Sequence, residues 1–448
     1  MFLNKKSYIL PILFCFSLIC FSQNNYVVKN KKGIDKINFK LVNNVIIIPV
    51  EVNGVELSFL LDTGVSKPIV FNFLKSSDSL NIQNAERIYL KGLGNNGLIE
   101  ALKSSNNQFK IGDAVNTNQD FYVVFDSSIN FAPHLGVPIH GIIGYDFFKD
   151  LVVEINYSKK YLKIANPESY KYRNCKKCET LNLQFYNNKP YVNIKTTIAS
   201  KNIPVKLLLD TGSSNSIWLF EDDDKGITLG DKSFDDFLGY GLSGILFGKR
   251  TKIDSVIINS FVLNNPKATF PDSTITKSIK RIKGRNGSLG GEILKRFNIV
   301  VDYKKAKIRL KKNRLFKEKF SYNKSGISLV HDGIRVVTEF ESDFYGNSDS
   351  QYSNTSTKVI KAVFARTKKN IVTPAFSISQ IRPNSPADLV GLKVGDVLIS
   401  VNNKNFKDHT LQELLSDFFD EEGKKTKVVV ERLGIKIVVR FELKSPLN

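Results

Sequence analysis

Four cysteines, four histidines, one methionine and one tryptophan in 448 residues leave little material for several common chemistries. Histidine is the first shortage. His134, His140, His331 and His409 lie far apart without metal-ligand spacing, and no G-x-S-x-G elbow accompanies them, so neither a zinc hydrolase nor a serine hydrolase is expected. Cysteine is the second. Cys15 and Cys20 fall in the first 22 residues, and Cys175 and Cys178, in Asn-Cys-Lys-Lys-Cys, lack the second pair of a zinc knuckle and the setting of a thioredoxin-like site. They read as a local disulfide or as inert thiols. Long apolar runs are the third shortage: after Phe21 none approaches the roughly 20 residues of a spanning helix, so the mature chain is expected to be soluble.

The first 22 residues carry Lys5 and Lys6, an apolar run from Tyr8 to Phe21, and then the small residue Ser22. This is the composition of a cleaved secretory signal, and it implies an exported protein: periplasmic, outer-membrane-associated or secreted. The short stretch from 23 to 40 leaves no room for a long inhibitory pro-segment. Formal charge is +22, and loss of the two leading lysines leaves the chain strongly basic. An exported protein does not meet genomic nucleic acid, so the expected partners are anionic cell-envelope surfaces or acidic substrates. Between Lys304 and Lys319, Lys307, Arg309 and Lys311 alternate with Ile308 and Leu310, the pattern of a strand with one solvated face.

An internal repeat organises what is present. With an offset near 148 residues, Phe59-Leu60-Leu61-Asp62-Thr63-Gly64 aligns with Leu207-Leu208-Leu209-Asp210-Thr211-Gly212. Ile142-Ile143-Gly144 then aligns with Ser288-Leu289-Gly290, and Glu154-Ile155-Asn156-Tyr157 with Val300-Val301-Asp302-Tyr303. Short alternating runs such as Val45–Val52 and Tyr191–Lys195, bounded by Asn and Gly, predict lobes that are mostly β, with a short helix after each second glycine. Gly92-Leu93-Gly94-Asn95-Asn96-Gly97 and Gly239-Tyr240-Gly241-Leu242-Ser243-Gly244 both fit G-x-G-x-x-G, but no βαβ unit surrounds them. They are the same element twice, read as hairpin tips in which glycine supplies positive φ.

An aspartate leaving a buried strand into Thr-Gly places a carboxylate on a tight turn. Two such turns related by a pseudo-twofold axis would bring the carboxylates together, where like charges force them to share one proton. One member then serves as base and the other as acid.

These residues resemble the retropepsin-like and pepsin-like aspartic peptidases over about 41 to 312. The resemblance implies that Asp62 and Asp210 form the catalytic pair, with Thr63, Gly64, Thr211, Gly212 and Ser213 supporting the loops. It also implies that Gly92, Gly94, Gly97, Gly239, Tyr240 and Gly241 belong to flaps over the substrate, and that no metal or cofactor takes part. Two positions depart from the pattern. Val65 stands where the second copy has Ser213, which predicts an unequal pair with Asp62 holding the proton more of the time. Ser288 replaces an apolar residue and is expected to loosen the packing behind its loop.

After Arg314 the pattern changes. Ile381-Arg382-Pro383-Asn384-Ser385-Pro386-Ala387, followed by Gly391-Leu392-Lys393-Val394-Gly395-Asp396-Val397-Leu398-Ile399, resembles the core of a bacterial PDZ domain. The resemblance implies a short helix from Pro386, a second from Thr410 to Phe419, a closing hairpin around Gly434, and a C-terminal peptide held on the loop of Ser325, Gly326 and Ile327.

The expected architecture is mainly β. It comprises a signal segment at 1–22, two tandem retropepsin-like acid-protease lobes at 23–167 and 168–315, and an α/β PDZ-like domain at 316–448. The expected activity is aspartic endopeptidase cleavage of protein or peptide substrates, and the competing expectation is an inactive duplicated protease fold that binds peptides.

Overall fold

The structure, a computed structural model, describes residues 25–71, 80–94, 97–126, 129–273, 275–276, 284–347 and 361–447. The expected signal segment and Asn95-Asn96 lie outside the described residues.

The two-lobed portion, protease-like in its sequence, is built from one repeated unit. In the first lobe, Val45–Val52 (β1) and Val55–Leu61 (β2) form an antiparallel hairpin with Ile47 opposite Leu60. In the second, Lys189–Ile198 (β7) and Lys201–Leu209 (β8) do the same with Tyr191 opposite Leu208. Each pair opens on an Asn-Asn turn, Asn43-Asn44 or Asn187-Asn188, with positive φ at both residues, a conformation that asparagine tolerates. The second strand of each pair runs parallel to a later one, β2 to Gly141–Ile143 (β5) and β8 to Arg285–Leu289 (β11). One-turn helices follow, Tyr145–Phe148 (α2) and Gly291–Leu294 (α3), as the sequence predicts.

Between these frames each lobe sends out a hairpin: Glu86–Leu90 (β3) with Ile99–Ile111 (β4), and Phe234–Gly241 (β9) with Gly244–Lys252 (β10). Ala132–Leu135 (α1) follows in the first lobe. The hairpins are thus the two glycine-rich elements of the repeat.

The lobes do not stand apart. Val152–Asn156 (β6) pairs antiparallel with Phe297–Asp302 (β12), placing Glu154 opposite Val300 at the centre of a six-stranded sheet to which both lobes contribute. One apolar core runs through both, including Phe59, Phe109, Phe147, Ile155, Leu207, Ile293 and Ile299. In the basic segment, Ile308 and Leu310 are buried while Lys307 and Lys311 face solvent, and Cys175 and Cys178 form a disulfide.

The C-terminal unit has its own core, with Ile327, Leu329, Phe376, Leu398, Leu414, Phe418 and Val428. A long hairpin, Ile327–Asn347 (β13) with Lys361–Ile381 (β14), leads into Pro386–Leu389 (α4), Val397–Val401 (β15), Leu411–Ser416 (α5), and the pair Lys425–Arg432 (β16) and Ile435–Glu442 (β17). Thr410 and Glu413 cap α5 reciprocally, and Asp396, buried in the turn into β15, accepts two hydrogen bonds from Arg432. The connection to the protease portion is itself packed. Phe316 and Phe320 join the protease core, and the Tyr322 hydroxyl donates to the carbonyls of Thr251 and Ala268 at 2.6 and 3.3 Å.

Arg296, 1% exposed, holds this connection. Its Nε donates to the Glu292 carbonyl and its Nη1 to those of Leu315, Phe316 and Glu318, while the guanidinium lies over the Phe320 ring. Replacing it by Met removes all four hydrogen bonds and leaves the buried Glu292 carbonyl without this partner. Arg296→Met is expected to cost about 3 kcal/mol, read as a lower midpoint in urea unfolding.

Candidate active site

The loops after β2 and β8 meet on the pseudo-twofold axis because their threonines cross over. Thr63 Oγ1 donates to the Leu209 carbonyl and Thr211 Oγ1 to the Leu61 carbonyl. In return the Thr63 amide donates to Thr211 Oγ1 at 3.0 Å and the Thr211 amide to Thr63 Oγ1 at 3.1 Å. Both threonines are buried, so all four bonds are shielded from water.

The strands behind repeat the symmetry. The amide of Asp62 donates to the Ile143 carbonyl and that of Asp210 to the Leu289 carbonyl. The second glycines close against the loops. A Cβ at Gly144 would lie 2.0 Å from the Asp62 carbonyl oxygen, and one at Gly290 2.2 Å from that of Asn215. Neither approach leaves room for a side chain.

This frame brings the two carboxylates together. A Cβ on Gly64 would lie 3.0 Å from Asp62 Oδ1 and 3.6 Å from Asp210 Oδ1, and one on Gly212 2.3 Å from the Asp62 carboxyl carbon. The loop glycines are therefore required by the dyad itself. The Gly64 amide donates to Asp62 Oδ1 at 2.6 Å. Each lobe also steadies the other's loop from its Asn-Asn turn: Asn44 donates to the Ser214 carbonyl at 2.9 Å, and Ser66 donates to the Asn187 carbonyl at 2.9 Å.

The pair is electrostatically unequal. Both carboxylates keep partial exposure, yet protein encloses most of each. That desolvation, followed by the charge of Asp210, pushes Asp62 up to about 7. Asp210 is also raised by desolvation, but Arg285, Lys189 and the backbone amides of Ser213 and Gly212 oppose the rise. The direction agrees with the expectation drawn from Val65 and Ser213, while the cause differs. Ser213 acts through its amide, and the larger opposing influence is a cation that the sequence reading did not single out.

That cation, Arg285, is held in place by Ser288. Ser288 is buried, and its hydroxyl accepts from Arg285 Nη2 at 2.9 Å. The departure from an apolar residue at this position thus anchors an arginine. Lys189, at the start of β7, acts on both carboxylates, more strongly on Asp62.

The glycine-rich hairpins meet over lobe ends rather than standing free. The Gly92 amide donates to Ser243 Oγ at 2.9 Å, the Ser243 amide to the Leu93 carbonyl at 2.8 Å, and Ser243 Oγ to the Gly97 carbonyl at 3.3 Å. Gly94, Gly97 and Gly239 have positive φ as expected; Gly92 and Gly241 do not. They are glycines for a different reason: a Cβ at Gly92 would lie 2.4 Å from Leu242 Cβ, and one at Gly241 2.1 Å from the Leu93 carbonyl oxygen. Tyr240 stacks on His134 of α1 at 4.0 Å and lies edge-on to Phe237 at 4.8 Å. Beside them a cavity of about 720 Å³ is lined by Leu98, Ile99, Ile129, Phe131, Tyr240 and Leu242, among others. Neither aspartate lines it.

The PDZ-type loop departs from expectation. The Ser325 and Gly326 amides donate to Asn323 Oδ1 at 3.0 and 3.2 Å, and the Ile327 amide donates to Ser325 Oγ at 3.0 Å. Ser325 is fully buried. The three amides expected to receive a peptide carboxylate are thus already satisfied within the loop. In addition, α1 of the first lobe packs against β13, and a Cβ on Gly136 would lie 3.1 Å from Leu411 Cβ at the start of α5. The strand and helix between which a peptide would add are neighbours of the protease portion.

Two segments of the chain match known protein families. Residues 48–147, which hold Asp62, Thr63, Gly64 and Gly144, match the aspartyl protease family model, and residues 377–432 match the PDZ domain family model. No curated protein matches the chain. Among solved structures, the crystal structure of an aspartic proteinase from Irpex lacteus is similar at 13% identity, covering 64% of this chain and 99% of that one with a TM-score of 0.41. The chain therefore carries an aspartyl-protease-like domain and a PDZ domain within a mainly β structure.

A folded protein that keeps a proton on Asp62 to about pH 7, where the unfolded chain has released it near the ordinary carboxylate value of 3.8, loses stability from this group as pH rises between the two. A carbon-13 titration of aspartate carboxyls is expected to show one midpoint near 7 that is absent from Asp62→Asn. The same variant is expected to lack the decline in melting temperature across that interval.

Proposed function

We propose that this protein is an exported aspartic endopeptidase that hydrolyses peptide bonds with a water activated between Asp62 and Asp210. The observation that carries the reading is the reciprocal threonine lock, which holds two otherwise repelling carboxylates in one enclosed place. Asp62, the more basic member, holds the proton and donates to the scissile carbonyl. Asp210, kept ionised by Arg285, Lys189 and two loop amides, takes a proton from the attacking water. Collapse of the tetrahedral adduct returns a proton to the leaving amine, and the dyad regains its singly protonated state.

Asp62→Asn and Asp210→Asn are each expected to lower kcat at least about 10³-fold, since each removes half of an acid–base pair. The basic limb of kcat/KM is expected near pH 7, where loss of the Asp62 proton leaves both carboxylates ionised. Wild-type protein that cleaves nothing in a peptide library between pH 3 and 7 would favour the inactive, peptide-binding alternative.

In this reading the PDZ domain regulates access to the cleft from within the molecule. The satisfied loop amides argue against capture of a free C-terminus in this conformation. The contact of β13 with α1, and of His134 on α1 with Tyr240, links the domain to the second-lobe flap. His134→Ala is expected to change KM several-fold with little change in melting temperature; unchanged kinetics would reduce the domain to a packing role. Export rests on the composition of residues 1–22, and N-terminal sequencing of the protein recovered from its host is expected to begin at Gln23.

A further inference from the structure

The two lobes share a backbone, so register identifies equivalent positions across them. Leu60 opposite Ile47 matches Leu208 opposite Tyr191, which makes Tyr191 the counterpart of Ile47 and, two residues earlier, Lys189 the counterpart of Val45. Gly141 opposite Phe59 matches Gly287 opposite Leu207. The residues just before these glycines also correspond. His140 Nδ1 accepts from the Ser58 amide, and Asn286 Oδ1 accepts from the Lys206 amide. Arg285 is then the counterpart of Ile139.

Val45, Ile47 and Ile139 are buried together in an apolar cluster of the first lobe. The second lobe replaces that trio with Lys189, Tyr191 and Arg285. Apolar burial alone would not favour such an exchange, because each cation is partly desolvated and an unpaired buried charge is costly.

The cluster is also ordered. Arg285 Nε donates to the Gly287 carbonyl at 3.1 Å and Nη2 to Ser288 Oγ at 2.9 Å. Its guanidinium sits 5.4 Å from the Phe220 ring centre and 6.0 Å from that of Tyr191. The Tyr191 hydroxyl is buried without a hydrogen-bond partner. The carboxylates acting on Lys189 are Asp62 and Asp210, and the one acting on Arg285 is Asp210.

A dyad that shares one proton supplies one negative charge against these two positive ones. The site is thus left with an excess positive charge and a spare hydroxyl donor beside the reacting carboxylates.

We infer that Lys189 and Arg285, with Tyr191, form a specificity subsite on the second-lobe side of the cleft that receives an acidic side chain of the substrate near the scissile bond. Lys189 supplies a mobile ammonium, and Arg285 a fixed planar donor set suited to a carboxylate. The inference rests on the peptidase reading for its kinetic consequence but not for the binding chemistry.

Mass-spectrometric mapping of cleavage in a proteome-derived peptide library is expected to show Asp or Glu enriched at one position adjacent to the cut, at least tenfold over Gln or Asn. Lys189→Met should reduce that enrichment, Lys189→Arg should retain it, and Lys189→Glu should shift it toward Lys and Arg. Cleavage without acidic enrichment overturns the subsite and leaves the peptidase reading standing. Absence of cleavage by the wild type overturns the peptidase reading. Calorimetric binding of paired Glu- and Gln-containing hexapeptides to the Asp62→Asn protein then decides the subsite separately. Tighter binding of the Glu peptides that is lost in Asp62→Asn/Lys189→Met supports it, and equal binding of the two sets overturns it.

Discussion

Four hydrogen bonds between two threonines and the opposing backbone set the terms for everything else in the protease portion. Each threonine uses its hydroxyl twice, donating to the far lobe's strand end and accepting the far threonine's amide. Together they fix two carboxylates against their mutual repulsion. A buried network of this kind is favourable only when every member is satisfied, so the lobes are obliged to meet in one registration. The shared six-stranded sheet and the Asn-Asn turns that reach across to Ser214 and from Ser66 repeat the same constraint at increasing distance from the axis.

Symmetry of the frame makes its exceptions informative. Where the first lobe has Val45, Ile47 and Ile139, the second has Lys189, Tyr191 and Arg285, and the two aspartates consequently occupy different fields. A strictly equal pair would share its proton without preference. An unequal one gives the proton a preferred holder, and the cations outside the Asp-Thr-Gly loops are the largest influences that oppose protonation of Asp210.

What the sequence revealed follows the distance over which each signal acts. The mainly β fold, the short helices after the second glycines and the PDZ core all depend on contiguous residues or on the repeat, and the sequence showed them for that reason. The glycine-rich hairpins were visible too, but not the reason for Gly92 and Gly241, which lies in a neighbour remote in sequence. Lys189 and Arg285 were missed for a similar cause. A β-bulge after Lys206 and the strand register bring them to the dyad, and only a column-by-column comparison of the repeats, asking where an apolar residue becomes charged, would have found them. In the PDZ loop, Asn323 lies upstream of the motif and so outside its signal, yet its side chain accepts from two of the loop amides.

With its amide and hydroxyl, Ser243 joins the second-lobe hairpin to the loop of Gly92, Leu93 and Gly97 in the first lobe. Separating the two hairpins breaks three hydrogen bonds at once, all of them made by one serine, so a single residue decides whether the tips of the two lobes part or stay together.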